Sequence, residues 1–171
     1  AQRALKGLAD RLKVTPQNVI ITPGNHDVVD EVAFYPADCE QFASDAEYRN
    51  AQAWFDKERL RKILLQRFET FHTFKRTNGY PASSEDGDAF FTCSVPFETG
   101  TVEQRICIAA VNSALFSTRA EHDEHRKVLL GRNRMRRLAD HIKTAYGTAD
   151  RRILVLHHPF AYLNARDALQ C

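Results

Sequence analysis

Four consecutive residues, Gly24-Asn25-His26-Asp27, concentrate more chemistry than any other stretch of this 171-residue chain. They follow the run Val19-Ile20-Ile21-Thr22-Pro23. An amide oxygen, an imidazole and a carboxylate in succession can hold a metal, move a proton and orient the group that moves it. Glycine ahead of them lets the backbone turn sharply and approach a ligand closely. A second cluster, His157-His158-Pro159, ends the run Ile153-Leu154-Val155-Leu156. Imidazole nitrogen together with amide or carboxylate oxygen suits zinc, manganese or iron.

Both clusters stand where a short aliphatic run stops, and each run reads as a buried strand. Pro23-Gly24 breaks the first into a turn, and Pro159 cannot continue the second. Ligands of α/β sheets gather beyond the carboxyl ends of strands, so two parallel strands would bring the clusters together. Residues 2–13 repeat Ala4, Leu5, Leu8, Ala9 and Leu12 at helical spacing. From Trp54 to about Arg76 the pattern predicts one long amphipathic helix, with Leu60, Ile63, Leu64, Phe68, Phe71 and Phe74 near one face and Asn78-Gly79-Tyr80-Pro81 ending it. Phe90 to Val95 and Arg105 to Val111 read as neighbouring strands about a turn at Glu98-Thr99-Gly100. Leu115 to Leu130 reads as a polar loop, and residues 31–50 show no clear period.

The run Val19 to Asp27, followed by Leu156-His157-His158-Pro159, resembles the calcineurin-like metallophosphoesterases. That family carries a Gly-Asn-His-Asp/Glu motif and, further on, a strand ending in a metal-binding histidine. A helix over residues 2–13, a strand at Ile106 to Ser113 and a helix from Arg134 to Tyr146 fit the family's order of elements; residues 31–90 are the least family-like. The resemblance implies an α/β fold, as a piece of the metallophosphoesterase α-β-β-α sandwich forming one domain over residues 1–171. It implies a metal-dependent hydrolase of phosphoesters, with diesters slightly preferred. Asn25 and His157 would bind one of two divalent ions (manganese, iron or zinc). His26 would contact the phosphate and protonate the leaving oxygen, and Asp27 would hold His26 in the correct tautomer. Gly24 and His158 would stand in support behind them. The alternative is a non-catalytic binding or scaffolding module, or a regulatory domain of a larger assembly, that keeps this fold and works on a protein partner or fused domain.

The family's first-strand Asp-x-His motif and its Gly-Asp motif do not occur ahead of Asn25, and no Gly-His-x-His motif follows His157. Gly87-Asp88 follows the polar stretch Ser83-Ser84-Glu85-Asp86 and reads as a loop. The second ion's ligands and a bridging aspartate therefore have no counterpart. The chain starts mid-helix at Ala1 and stops at Cys171. The expectation is an internal piece of a longer enzyme, truncated at both ends and inactive alone. Without the family, Gly24 to Asp27 reads as a turn capped by Asn and Asp with a surface histidine.

A net charge of +2 does not indicate a nucleic-acid partner. No apolar stretch approaches the roughly 18 residues of a membrane span. Four cysteines without a Cys-x-x-Cys pair fit a reducing cytoplasm, with Cys93 and Cys107 as core thiols. Arg132, Arg134, Arg136 and Arg137 form either a solvated helix face or a patch that steers phosphate. His122 and His125 belong either to a chelating helix or, more simply, to a charged loop. His72 reads as a packed histidine and His141 as a helix-surface residue. Asn112 and Ser113 either line a pocket or form turn hydrogen bonds. Residues 28–59, rich in aromatics (Phe34, Tyr35, Phe42, Tyr48, Trp54, Phe55), form either a lid over the site or a packing insertion.

Overall fold

Two ten-residue strands, β1 (Phe90–Thr99) and β2 (Val102–Val111), pair in antiparallel register from Phe90↔Val111 to Thr99↔Val102. The molecule is represented by a computed structural model that describes residues 2–29, 45–81, 90–99, 102–117 and 128–171. A third strand, β3 (Arg151–Leu156), pairs with β2 in parallel, giving a mixed sheet in the order β1-β2-β3. The helices among the described residues are α1 (Gln2–Leu12), α2 (Asp45–Asp56), α3 (Glu58–Gln66), α4 (Glu69–Thr77), α5 (Arg132–Ala145) and the single turn α6 (Ala165–Ala168). The protein is thus α/β, and none of these helices is long and apolar enough to cross a membrane.

Parallel strands need a crossover, and α5 provides it between β2 and β3. Met135, Leu138 and Ile142, spaced along one face of α5, pack on Ala109 and Val111 of β2 and on Leu156 of β3. A second core gathers Phe55 of α2, Leu64 of α3, Phe68, and Phe71 of α4 around Val28, Leu115 and Phe116. Arg67, only 3% exposed, ties that core to the segment after β2 by donating to the carbonyls of Leu115 (2.7 Å) and Ser117 (2.6 Å).

Several elements differ from the sequence reading. The predicted long helix is three helices. Lys57 is extended (φ −82°, ψ 116°) between α2 and α3, and Phe68 leaves helical geometry (φ −111°, ψ 15°) before α4. Neither break carries proline or glycine, so packing decides them: they let Arg67 and Phe68, side by side in sequence, both be buried. The segment 19–23 is not a ladder strand. Val19 is extended (φ −106°, ψ 114°) and Ile21 packs on the core, but β2 is already paired on both edges, by β1 and β3. Leu115, Phe116, Val128, Leu129 and Leu130 are buried instead of belonging to a polar loop. On β3 the aliphatics expected to be buried are open, with Ile153 47% and Leu154 39% exposed, because β3 is an edge strand among the described residues. In the stretch 28–59, Val28, Ala51 and Phe55 are core residues. Phe34, Tyr35, Cys39, Phe42, Gly87, Asp88, His122 and His125 lie outside the described residues.

Candidate functional site

The site lies where β2 and β3 end together. Their register pairs Val111 with Leu156, so Asn112-Ser113 and His157-His158 leave the sheet side by side. The extended segment 19–24 reaches the same edge, where Thr22 Oγ1 donates to the Val111 carbonyl at 2.9 Å. Two chain segments over a hundred residues apart in sequence thus arrive at one place. Segment 19–24 is held at this edge by the Thr22 side-chain bond to β2, where the sequence reading had a strand.

Beyond Gly24 the backbone makes a single 3-10 turn over Asn25–Asp27. The turn closes on itself twice: Asp27 N–H donates to the Gly24 carbonyl (3.1 Å), and Gly24 N–H donates to Asp27 Oδ2 (2.9 Å). The Asp27 carboxylate holds the turn, and among the described residues no hydrogen bond joins it to the His26 ring. His26 is exposed at the apex of the turn.

Asn25 and His157 meet: Asn25 Oδ1 lies 3.2 Å from His157 Nε2. Gly24 permits this by its size. A Cβ on Gly24 would stand 2.6 Å from His157 Cε1 and 2.8 Å from Nδ1, so the imidazole rests directly on the glycine backbone. His158 points inward instead and is 5% exposed, with its ring edge-on to that of His157 at 4.7 Å between centroids. Its Nδ1 is 2.9 Å from Ser113 Oγ, and its ring lies 6.4 Å from that of Tyr162. Asn112 forms a local turn, its Oδ1 accepting from Ala114 N–H at 2.8 Å.

An amide oxygen and an imidazole nitrogen are donor types that borderline divalent ions accept. The Asn25–His157 separation of 3.2 Å is that of a hydrogen bond, and adjacent ligands around a cation with bonds near 2.1 Å also lie roughly 3.0–3.4 Å apart. The pair supplies two of the roughly four to six donors that zinc, iron or manganese takes. Among the described residues, no group of three or more His, Cys, Asp or Glu side chains could hold a metal.

No family model, curated protein or solved structure matches the chain.

The remaining candidates disperse. Arg134 is buried at 1% exposure, with guanidinium bonds to the carbonyls of Leu130 (2.9 Å) and Asn112 (2.7 Å), so it belongs neither to a solvated face nor to a phosphate patch. Arg132 and Arg136 are exposed. His72 is half-buried against Phe71, and burial pushes its pKa below that of free imidazole. His141 is exposed on α5, with Nε2 3.0 Å from Thr92 Oγ1. Cys107 is buried in the sheet, and burial raises its thiol pKa. The tight approach of Gly24 and the Ser113–His158 contact were not assigned from sequence. The only signal for the second was two polar residues following each of two strand patterns.

Proposed function

We propose that this chain contributes to a metal-dependent phosphoester hydrolase, acting most naturally on phosphodiesters and built on the metallophosphoesterase form of the α/β fold. The observation that supports this reading is the meeting of Asn25 Oδ1 and His157 Nε2 at 3.2 Å, above a glycine with no room for a side chain. Asn25 and His157 would hold one divalent ion (manganese, iron or zinc). The chemistry supplied there is Lewis-acid neutralisation of charge developing on the phosphate oxygens. Asn25 brings no charge and His157 binds as the neutral ring, so the ion's full positive charge remains available to an anionic ester. His26, next to Asn25 and open to solvent, is placed to give a proton to the departing alkoxide, a role worth about 10²–10⁴-fold in rate. Asp27 acts on His26 indirectly, by closing the turn whose apex carries the ring.

Two protein donors bind an ion weakly and cannot hold two. The test is therefore binding first and turnover second. Manganese titrated into the chain is expected to broaden the His157 ring protons and the Asn25 side-chain amide selectively and saturably. His157→Ala and Asn25→Ala should each abolish that effect. Turnover of an aryl phosphodiester by the isolated chain with manganese should stay near background. Broadening that ignores both substitutions would end the metal-site reading, and robust turnover would end the half-site reading.

A further inference from the structure

Behind the Asn25–His157 pair lies a second polar pair, sealed from water: Ser113 is 1% and His158 5% exposed. One hydroxyl oxygen serves both the ring and the backbone of the same histidine. Ser113 Oγ is 2.9 Å from His158 Nδ1 and accepts the His158 backbone N–H at 3.2 Å. The direction of the first bond follows from counting donors. The Ser113 hydroxyl hydrogen has one acceptor in reach among the described residues, His158 Nδ1. Leaving a buried hydroxyl proton without an acceptor would cost about 1–3 kcal/mol. Nδ1 therefore accepts, and His158 carries its proton on Nε2.

That arrangement controls more than His158. The two bonds fix the backbone at the first residue after His157 and, through Nδ1, the plane of the His158 ring. The His158 ring meets His157 edge-on, with an interplanar angle of 83° and 4.7 Å between centroids. His157 is itself exposed and has no such burial to hold it. Its imidazole is confined by the Gly24 backbone, by the His158 ring and by Asn25. The His158 wall is held on its Nδ1 side by the Ser113 hydroxyl.

We infer that Ser113 is a positioning residue: by clamping His158 as the Nε2–H tautomer in one ring orientation, it aims the His157 imidazole at Asn25. This rests on reading the pair as a metal centre. Residues behind metal ligands typically change affinity by about 10–100-fold when altered.

Two measurements on the full chain separate this claim from the metal reading itself. Long-range ¹H–¹⁵N spectra of the wild type at neutral pH should show His158 as a single Nε2–H tautomer; an Nδ1–H tautomer overturns the inference, whether or not any variant folds. In Ser113→Ala, with unchanged circular dichroism, manganese affinity at His157 should fall by about tenfold or more; wild-type affinity overturns it. Should the wild type take up no manganese, the metal reading fails alone. The His157 ring resonances then decide: moved by Ser113→Ala they support the positioning role, unmoved they refute it.

Discussion

At the scale of single residues, Gly24 separates the demands of stability from those of the site. Its backbone is extended (φ −108°, ψ −177°), which any residue adopts, so its small size and not its flexibility is what the position uses. The atoms that an added methyl would strike belong to the His157 ring, an exposed side chain that can swing away. Gly24→Ala is therefore expected to unfold within about 1 kcal/mol of the wild type. In the same variant, the Asn25–His157 contact and manganese-induced broadening at His157 should be lost. Denaturant melts and manganese titration check the two halves, and retained broadening with a displaced ring would contradict the argument. Residue types and spacing made Asn25 and His157 legible, because each follows an aliphatic run at a proline- or glycine-marked stop. They did not reveal what Asp27 bonds to. A one-turn 3-10 segment brings the carboxylate of its third residue under the preceding amide, a contact set by backbone curvature that no residue pattern displays. Ser113 was a candidate, but its partner was hidden for a related reason: its nearness to His158 depends on β2 and β3 ending in the same register.

At the scale of elements, α5 shows how a uniform sequence hides unequal roles. Arg132, Arg134, Arg136 and Arg137 look alike in the sequence, yet Arg134 lies one helical turn before buried Leu138 and faces the sheet with it. Its guanidinium caps the Leu130 and Asn112 carbonyls and lies 5.7 Å from the Phe55 ring centre. Arg134→Ala leaves two buried carbonyls short of donors and removes a buried stem, so a loss of roughly 2–4 kcal/mol is expected. Arg136→Ala, on the exposed face, should stay within about 0.5 kcal/mol; equal losses from the two would show that burial is not the cause. The helices before the sheet were legible as amphipathic but not as separate, since breaks without proline or glycine are made by tertiary packing. On α4 the packing has a pH signature. Desolvation, aided by the Lys75 charge, depresses the His72 pKa, so the unfolded chain takes up a proton that the folded chain resists. The sign is that stability is full above the ordinary imidazole pKa, about 6.5, and declines as pH falls below it. Thermal melts between about pH 8 and pH 5 should show a smaller decline for His72→Gln than for the wild type. An unchanged slope would place the acid sensitivity elsewhere.

At the scale of the whole molecule, one carboxylate joins three elements distant in sequence. Asp167, in the single turn α6, is fully buried. It accepts from the backbone N–H of Leu130 and of Gly131 (3.2 Å to Oδ2), just before α5, and from Gln52 Nε2 of α2 at 3.2 Å. Gly131 has φ 84°, a left-handed conformation that favours glycine, and a Cβ there would stand 2.5 Å from the Phe55 ring. The start of α5 is thus pressed on α2 by Phe55 and pinned from the other end of the chain by Asp167. Because α5 carries the crossover into β3, this junction also governs where His157 emerges. None of this was visible in the sequence of residues 160–171. Asp167→Ala strips buried amide donors of their acceptor and is expected to lower stability by about 3 kcal/mol or more. For a chain of this length that corresponds to a melting temperature roughly 6–12 °C lower. Asp167→Asn keeps one carbonyl oxygen for the Leu130–Gly131 amides and should lose less. The packing reading requires this order in calorimetry, together with weaker manganese broadening at His157 in the alanine variant as the exit of β3 loosens. If Asp167→Ala melts like the wild type, the three elements are held by apolar contact alone and the carboxylate is a passenger.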